Sequence, residues 1–318
     1  MRIITGPFGR IQLVADPWLG LLRLPRETIL SRERRIREVT AGNPLGIAIR
    51  EAKCKTILNR SGISDYSLNC YTGCAHGCVY CYARFMQRFH PHPEPWGQFV
   101  DVKVNAVEAL ERQLRRAEPG AVFMSSACDG WQPLEAERRL TRACCRLLIE
   151  HGFQVNVLTK STLVLRDLDI FAGRTARIGV TVTTLDERLR QLWEPQAASV
   201  AQRFQVLAEA RRAGLKTAIM FGPLLPFLSD SQETMDALFQ RAAELDVNVI
   251  WTDVLNPRPR VWDSVAALLR REFPDLLERY RRMLFDAENR AGYIQQVRGR
   301  ITRAAHEFGL TDRVAGCP

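Results

Sequence analysis

The segment from Cys70 to Tyr82 reads C-Y-T-G-C-A-H-G-C-V-Y-C-Y and holds four of the nine cysteines of the chain. Within it Cys74, Cys78 and Cys81 form C-x3-C-x2-C, and Gly73 and Gly77 free the backbone to turn tightly enough for three thiolates to converge. A [4Fe–4S] cluster that only carries electrons takes four protein thiolates. Three close-set cysteines therefore leave one iron open to a substrate or cofactor, which is an arrangement for chemistry. Cys78-x2-Cys81 is also half of a zinc motif, but no second C-x2-C and no paired His motif follow it. His76 lies between the ligands and is expected outside the ligand set, because three thiolates already suffice. Cys70 stays open: as a fourth ligand it would close the cluster and make the chain an electron carrier.

The spacing C-x3-C-x-aromatic-C, with Tyr80 in the aromatic place, resembles the signature of the radical S-adenosylmethionine (SAM) enzymes. The wider string S-L-N-C-Y-T-G-C-A-H-G-C-V-Y-C-Y-A-R is similar to the spore photoproduct lyase branch and its relatives. The resemblance implies a [4Fe–4S] cluster on Cys74, Cys78 and Cys81 whose open iron chelates SAM. It also implies reductive cleavage of SAM to a 5′-deoxyadenosyl radical that takes hydrogen from a substrate. A flavodoxin- or ferredoxin-type electron donor and a nucleic acid lesion are the partners that go with it. A radical SAM reaction on RNA, a peptide or a metabolite is the alternative within the same chemistry.

The elements must hold that loop in place. The chain of 318 residues, 46% hydrophobic and 25% charged, suits one α/β barrel-like domain with additions. It has no run of eighteen apolar residues and no signal-like N-terminus, and its odd cysteine count suits a reducing compartment. The expectation is a cytoplasmic enzyme with no membrane partner. Net charge is +10, and residues 1–50 hold nine arginines against four acids, with Arg32, Arg34, Arg35 and Arg37 densest. Such a stretch suits phosphates and equally suits a solvated helix face.

Ile3 to Val14 reads as two short strands around Gly6-Pro7-Phe8-Gly9, and Arg26 to Val39 as a charged helix. Residues 45 to 65 show no clean period. Beyond the cysteines, the apolar runs Ala121–Ser126, Phe153–Thr159, Ile178–Thr183, Thr217–Phe221 and Val247–Thr252 are too continuous for a half-exposed sheet and suit buried parallel strands. Helical stripes lie between them: Leu140, Ala143, Cys144, Leu147 and Leu148, then Val200, Phe204, Leu207 and Ala208. This β/α alternation fits a parallel sheet or a barrel. The resemblance selects a partial (β/α) barrel of the radical SAM type, with the cluster loop after a first strand at about Tyr66 to Cys70. The expected organisation is an N-terminal extension over 1–60, a core barrel over 61–260, and Arg-rich helices over 261–318 that close it.

In parallel α/β folds, sites lie at the carboxyl ends of the strands. Those ends offer Ser125, Ser126, Cys128 and Asp129, then Thr159, Lys160 and Ser161, then Thr181 and Thr183. The resemblance assigns SAM contacts to Lys160, which would pair with the carboxylate, to Thr181 at the ribose, to Ser126, and to Tyr80 near the adenine. Each also reads plainly as a strand-end or core residue. The resemblance further matches Cys128, in Ser126-Ala127-Cys128-Asp129, to a hydrogen-donating cysteine, with Tyr80 and Tyr82 as a hydrogen relay. Cys128 could equally be an apolar filler. Phe221-Gly222-Pro223-Leu224-Leu225-Pro226 reads as a βα loop. Trp193-Glu194-Pro195 matches a stretch of the branch without an assigned chemistry. Cys144 is expected in the core, and Cys54, Cys145 and Cys317 carry no motif.

Overall fold

Buried apolar strands form the centre of the computed structural model, which describes residues 37–39, 46–258 and 260–317. Strands β1 (Arg37–Val39) and β2 (Ala48–Ala52) come first, then β3 (Leu58–Arg60), β4 (Tyr66–Leu68), β5 (Tyr71–Thr72) and β6 (Phe99–Lys103). The β/α rhythm follows: α1 (Ala106–Leu114), β7 (Ala121–Met124), α2 (Glu135–Arg138), α3 (Leu140–Glu150), β8 (Gln154–Thr159), α4 (Leu168–Phe171) and β9 (Ala176–Val182). It continues through α5 (Glu187–Trp193), α6 (Val200–Arg212), β10 (Lys216–Leu224), α7 (Gln232–Glu244) and β11 (Val249–Val254). The chain ends in α8 (Val261–Glu272), α9 (Leu277–Phe285), α10 (Ala287–Glu307) and β12 (Val314–Gly316).

The main sheet runs β12-β11-β10-β9-β8-β7-β4-β3, parallel throughout except for β3, which pairs antiparallel with β4. Ile178, Val180, Ile219, Phe221 and Ile250 are completely buried. Each such side chain stabilises the fold by roughly 1.5–3 kcal/mol relative to exposure. Apolar runs of this kind are stable only with both sheet faces covered, which β/α crossovers supply. The fold is a partial (β/α) barrel. Among the described residues β3 and β12 do not pair with one another.

A second sheet, β1-β2-β6-β5, is built from strands of only two to five residues, and its β2 lies in the stretch over 45–65 that showed no clean period. Its strand β5 interrupts the cluster loop, so the loop is pinned against β6 between Tyr71–Val102 and Thr72–Asp101. The helix expected over Arg26–Val39 falls mostly outside the described residues, and its last three residues form β1 instead. The strands expected within Ile3–Val14 lie outside them altogether. The Arg-rich helices expected over 261–318 are interrupted after Glu272, because Pro274 removes a backbone donor and opens a one-turn 3-10 segment between α8 and α9. The loop expected from Phe221 to Pro226 is in part strand, since β10 continues to Leu224 beside β11. Among the described residues no helix is long and apolar enough to cross a membrane.

Candidate active site

Close backbone approach shapes the loop after β4. Gly73 has φ +84°, and a Cβ there would collide with Phe99 of β6. Gly77 (φ +64°) lies against Gly97 (φ +98°), where an added Cβ would come within 2.8 Å of the Gly77 Cα. Only glycine tolerates both the left-handed backbone and the contact. The Gly77 N–H donates to the Cys74 carbonyl at 3.2 Å, and the Cys81 N–H to that of Cys78 at 3.3 Å. From outside, the Ala75 N–H donates to Gln132 Oε1 at 2.8 Å, the Val79 N–H to the Trp193 carbonyl at 2.9 Å, and the Ser264 hydroxyl to the Val79 carbonyl at 2.8 Å. The loop is thereby tied to three separate parts of the chain.

Cys74 and Cys78 are buried and Cys81 is half-buried; all three are free thiols. Burial pushes each thiol up, Cys78 to about 12, and at Cys74 the negative Asp129 and the two other cysteines add to it. Lys160 pulls Cys78 and Cys81 back down. A metal must therefore displace the protons, as it does when it binds thiolate. Among the described residues no three His, Cys, Asp or Glu side chains converge as around a single ion. A polynuclear cluster instead takes its thiolates on separate irons, and three unbridged thiols on a pinned loop with a cation beside them fit that donor set. Cys70 faces the other way: its Sγ lies 3.8 Å from Cys144 Sγ of α3 in the core, and it is completely surrounded.

Two polar groups flank the loop. Asp129, after β7, accepts from the Thr159 hydroxyl (2.7 Å), the Trp131 N–H (2.9 Å) and the Lys160 N–H (2.8 Å), with His76 Nδ1 3.3 Å from its other side. Burial alone would raise its carboxyl, but His76, Lys160 and Thr159 more than offset that and hold it below the usual carboxylate range. His76 thus positions the strand ends rather than facing solvent. Glu194, completely buried, is the second group: Arg203 donates to one carboxylate oxygen, and Tyr80 and Thr183 donate to the other. Arg203 also donates to the Thr181 carbonyl at 2.9 Å. Lys160 Nζ sits 5.7 Å from the centre of the Tyr80 ring, and Cys78 and Glu194 keep it protonated against the cost of burial.

On the other side, Cys128 packs with Cys74, Cys81, Tyr82, Trp96 and Phe99. Asn69 organises this group. It accepts from the Ala127 N–H at 2.7 Å, donates to the Ser126 hydroxyl at 3.1 Å, and has Cys128 Sγ at 3.8 Å from its Oδ1. Burial pushes the Cys128 thiol up to about 12. The Tyr82 hydroxyl donates to the Ser126 carbonyl. Tyr80 packs elsewhere, with Cys78, Trp193 and Tyr280, so that of the two tyrosines of the expected relay Tyr82 lies in the packed group of Cys128 and Tyr80 in another.

Among the residues the sequence pointed to, the structure gathers Cys74, Cys78, Cys81, Tyr82, Ser126 and Cys128, with Lys160 and Tyr80 on the other flank. Thr181 is buried on β9, one strand beyond β8. Asn69, His76, Asp129, Glu194 and Arg203 were not assigned roles by sequence. Position offered a signal for four of them: Asn69 precedes the motif, His76 lies inside it, Asp129 follows a strand end, and Glu194 sits in the W-E-P stretch.

A model of the Radical SAM superfamily matches residues 68–238. An uncharacterized protein of Methanocaldococcus jannaschii is 33% identical over 187 residues, 58% of this chain and 70% of its own length. An uncharacterized protein of Mycobacterium tuberculosis is 30% identical over 268 residues, 80% of this chain and 78% of its own. Among solved structures, a spore photoproduct lyase variant with bound AdoMet and dinucleoside spore photoproduct superposes with a TM-score of 0.64. It is 14% identical, covering 89% of this chain and 87% of that one.

Proposed function

This chain belongs to the radical SAM superfamily, and from that premise we propose that Cys74, Cys78 and Cys81 hold a [4Fe–4S] cluster that binds SAM, in an enzyme acting on a nucleic acid lesion. When bound, cluster and SAM together supply reductive cleavage of SAM to methionine and a 5′-deoxyadenosyl radical, the species that takes hydrogen from the substrate. The protein binds, orients and excludes water. Lys160 offers the SAM carboxylate a cation whose charge is maintained by its neighbours. Tyr80, fixed by Glu194 and Thr183, offers a ring beside it, and Thr181 and Ser126 are the hydroxyls of the same reading.

Cys128 is the hydrogen donor in this reading. A thiol pushed up to about 12 is fully protonated at neutral pH, so its S–H is intact and ready to return a hydrogen atom to a substrate carbon. Tyr82 stands in the same packed group to hand hydrogen on. The observation that carries the proposal is this juxtaposition: three free thiols on one pinned loop, the Lys160 and Tyr80 flank on one side, Cys128 and Tyr82 on the other. The fold of spore photoproduct lyase supports a lesion as substrate class. The test is anaerobic incubation of reconstituted, chemically reduced protein with SAM. 5′-Deoxyadenosine is expected, and its absence from protein with a full iron complement would end the reading. Cys128→Ala should keep that product while conversion of an oligonucleotide carrying spore photoproduct stalls or yields side products; clean turnover would show that the hydrogen comes from elsewhere.

A further inference from the structure

Phe227, on the turn after β10, stands 40% exposed. It adopts a left-handed backbone (φ +64°), uncommon for a bulky residue, held by its N–H donating to Asp230 Oδ1 at 2.9 Å. The Arg279 guanidinium lies over one face of the ring, 4.0 Å from its centre. Towards the interior, Phe227 packs on Tyr280 at 6.0 Å between ring centres, and Tyr280 stacks on Trp193 at 6.5 Å and 23°. Tyr280 and Trp193 are completely buried. Trp193 shares a packed group with Cys78, and its carbonyl accepts the N–H of Val79, the next residue. Three rings therefore run from the surface to the backbone beside Cys78.

The surface end of this stack opens on a groove of about 790 Å³. Arg279, Arg282 and Arg300 line it against Asp230 and Glu288. Arg300 is spent on Asp230, donating to its carbonyl at 2.8 Å, with the carboxylate at 3.6 Å. Arg279 and Arg282, both exposed, outnumber the exposed Glu288, so the rim is net positive around one apolar ring.

We propose that this face of α9, centred on Phe227, docks an acidic one-electron donor protein of the flavodoxin or ferredoxin class. The proposal rests on the function above, because a cluster at Cys74, Cys78 and Cys81 needs an electron from outside. One electron leaves the donor's reduced flavin or iron–sulfur group and enters through the rings; no bond is made or broken and no proton moves. Electron-transfer encounters bury little surface and are steered by complementary charge. A positive rim around a single exposed ring suits such an encounter better than a polynucleotide, which needs a run of phosphate contacts.

The test titrates a purified flavodoxin into the anaerobic reconstituted protein by calorimetry at low and high salt. Saturable binding that weakens with salt is expected. Arg279→Glu and Arg282→Glu should each weaken it about tenfold while melting temperatures hold. Phe227→Leu should leave binding close to wild type and slow the loss of iron–sulfur absorbance on mixing with reduced flavodoxin. 5′-Deoxyadenosine formed with a chemical reductant should match wild type in all three, which separates the donor surface from the proposed function. Flavodoxin binding indifferent to both charge reversals would overturn the proposal, as would a duplex oligonucleotide binding there in place of flavodoxin.

Discussion

Cys70 and Cys74 are four residues apart in sequence and end in different environments. Cys74 packs with Cys81 and Cys128, with Cys78 close enough to act on its charge, whereas Cys70 turns into the core against Cys144. Cys70→Ala should therefore keep the iron content and the SAM cleavage of the wild type, and Ala at Cys74, Cys78 or Cys81 should abolish both. Loss of iron in Cys70→Ala alone would return the chain to the electron-carrier reading. Spacing marked the three proposed ligands because cluster binding fixes residue type and interval. Spacing was silent on Glu194 and Arg203, a buried pair assembled from α5's end and α6. Replacing Glu194 by Gln would leave Arg203 buried without its counter-ion, at a cost of about 3 kcal/mol, partly moderated by the Thr181 and Ala198 carbonyls it still reaches. Burial raises the Glu194 carboxyl, yet Arg203 and Lys160 bring it below its ordinary value. Its contribution is therefore complete above the unfolded carboxylate pKa and is lost as pH falls through the lower folded one. Urea denaturation should show the Glu194→Gln penalty in full at pH 7 and shrinking in acid; a pH-independent penalty would mean that packing, not charge, is what the substitution removes.

The elements were legible where they were long and apolar. Each of the five expected core runs contains a strand, since short, largely buried apolar runs set between helices satisfy their backbone by pairing in a parallel sheet. The helix after Ser199 was legible too, and Ser199 and Gln202 close a reciprocal capping box at its start. The short strands β2, β3, β5 and β12 were not, because a strand of two to five residues is set by its partner rather than by its own pattern. The Gly77–Gly97 contact belongs to this class: it joins two loops across the chain, and one glycine by itself gives no sign of it. Gly97→Ala tests it, because the new methyl must push on the Gly77 backbone between Cys74 and Cys78. Gly214→Ala is the control, with a comparable φ of +74° and nothing within 4 Å of an added Cβ. The control should cost about 1 kcal/mol from backbone strain alone. Gly97→Ala should cost more and should also lower the iron bound per chain; equal losses in both would show that the contact does not shape the cysteine loop.

For the molecule as a whole, the family likeness decided between a closed barrel, a partial one and an open sheet, which periodicity cannot separate, and the strand order agrees with the partial barrel. The C-terminal segment contributes a strand beside its helices, since β12 returns to extend the sheet beside β11. Charge is the property at this scale that bears on substrate. Half of the net +10 lies in residues 1–50, and the densest arginines, Arg32, Arg34 and Arg35, fall outside the described residues, so their role rests on composition. If they neutralise phosphates, binding to duplex DNA releases counterions and the logarithm of affinity falls linearly with the logarithm of salt, by about 0.9 for each phosphate contact. Removing residues 1–40 takes away eight arginines and should flatten that slope as well as weaken binding at low salt. Arg279→Glu, at the proposed donor surface, should leave the DNA slope where it is. A deletion that lowers affinity without changing the slope would assign these residues a packing role. Absence of duplex binding at low salt in the full chain would take double-stranded nucleic acid out of the proposed function and leave the radical chemistry to be tested on other substrates.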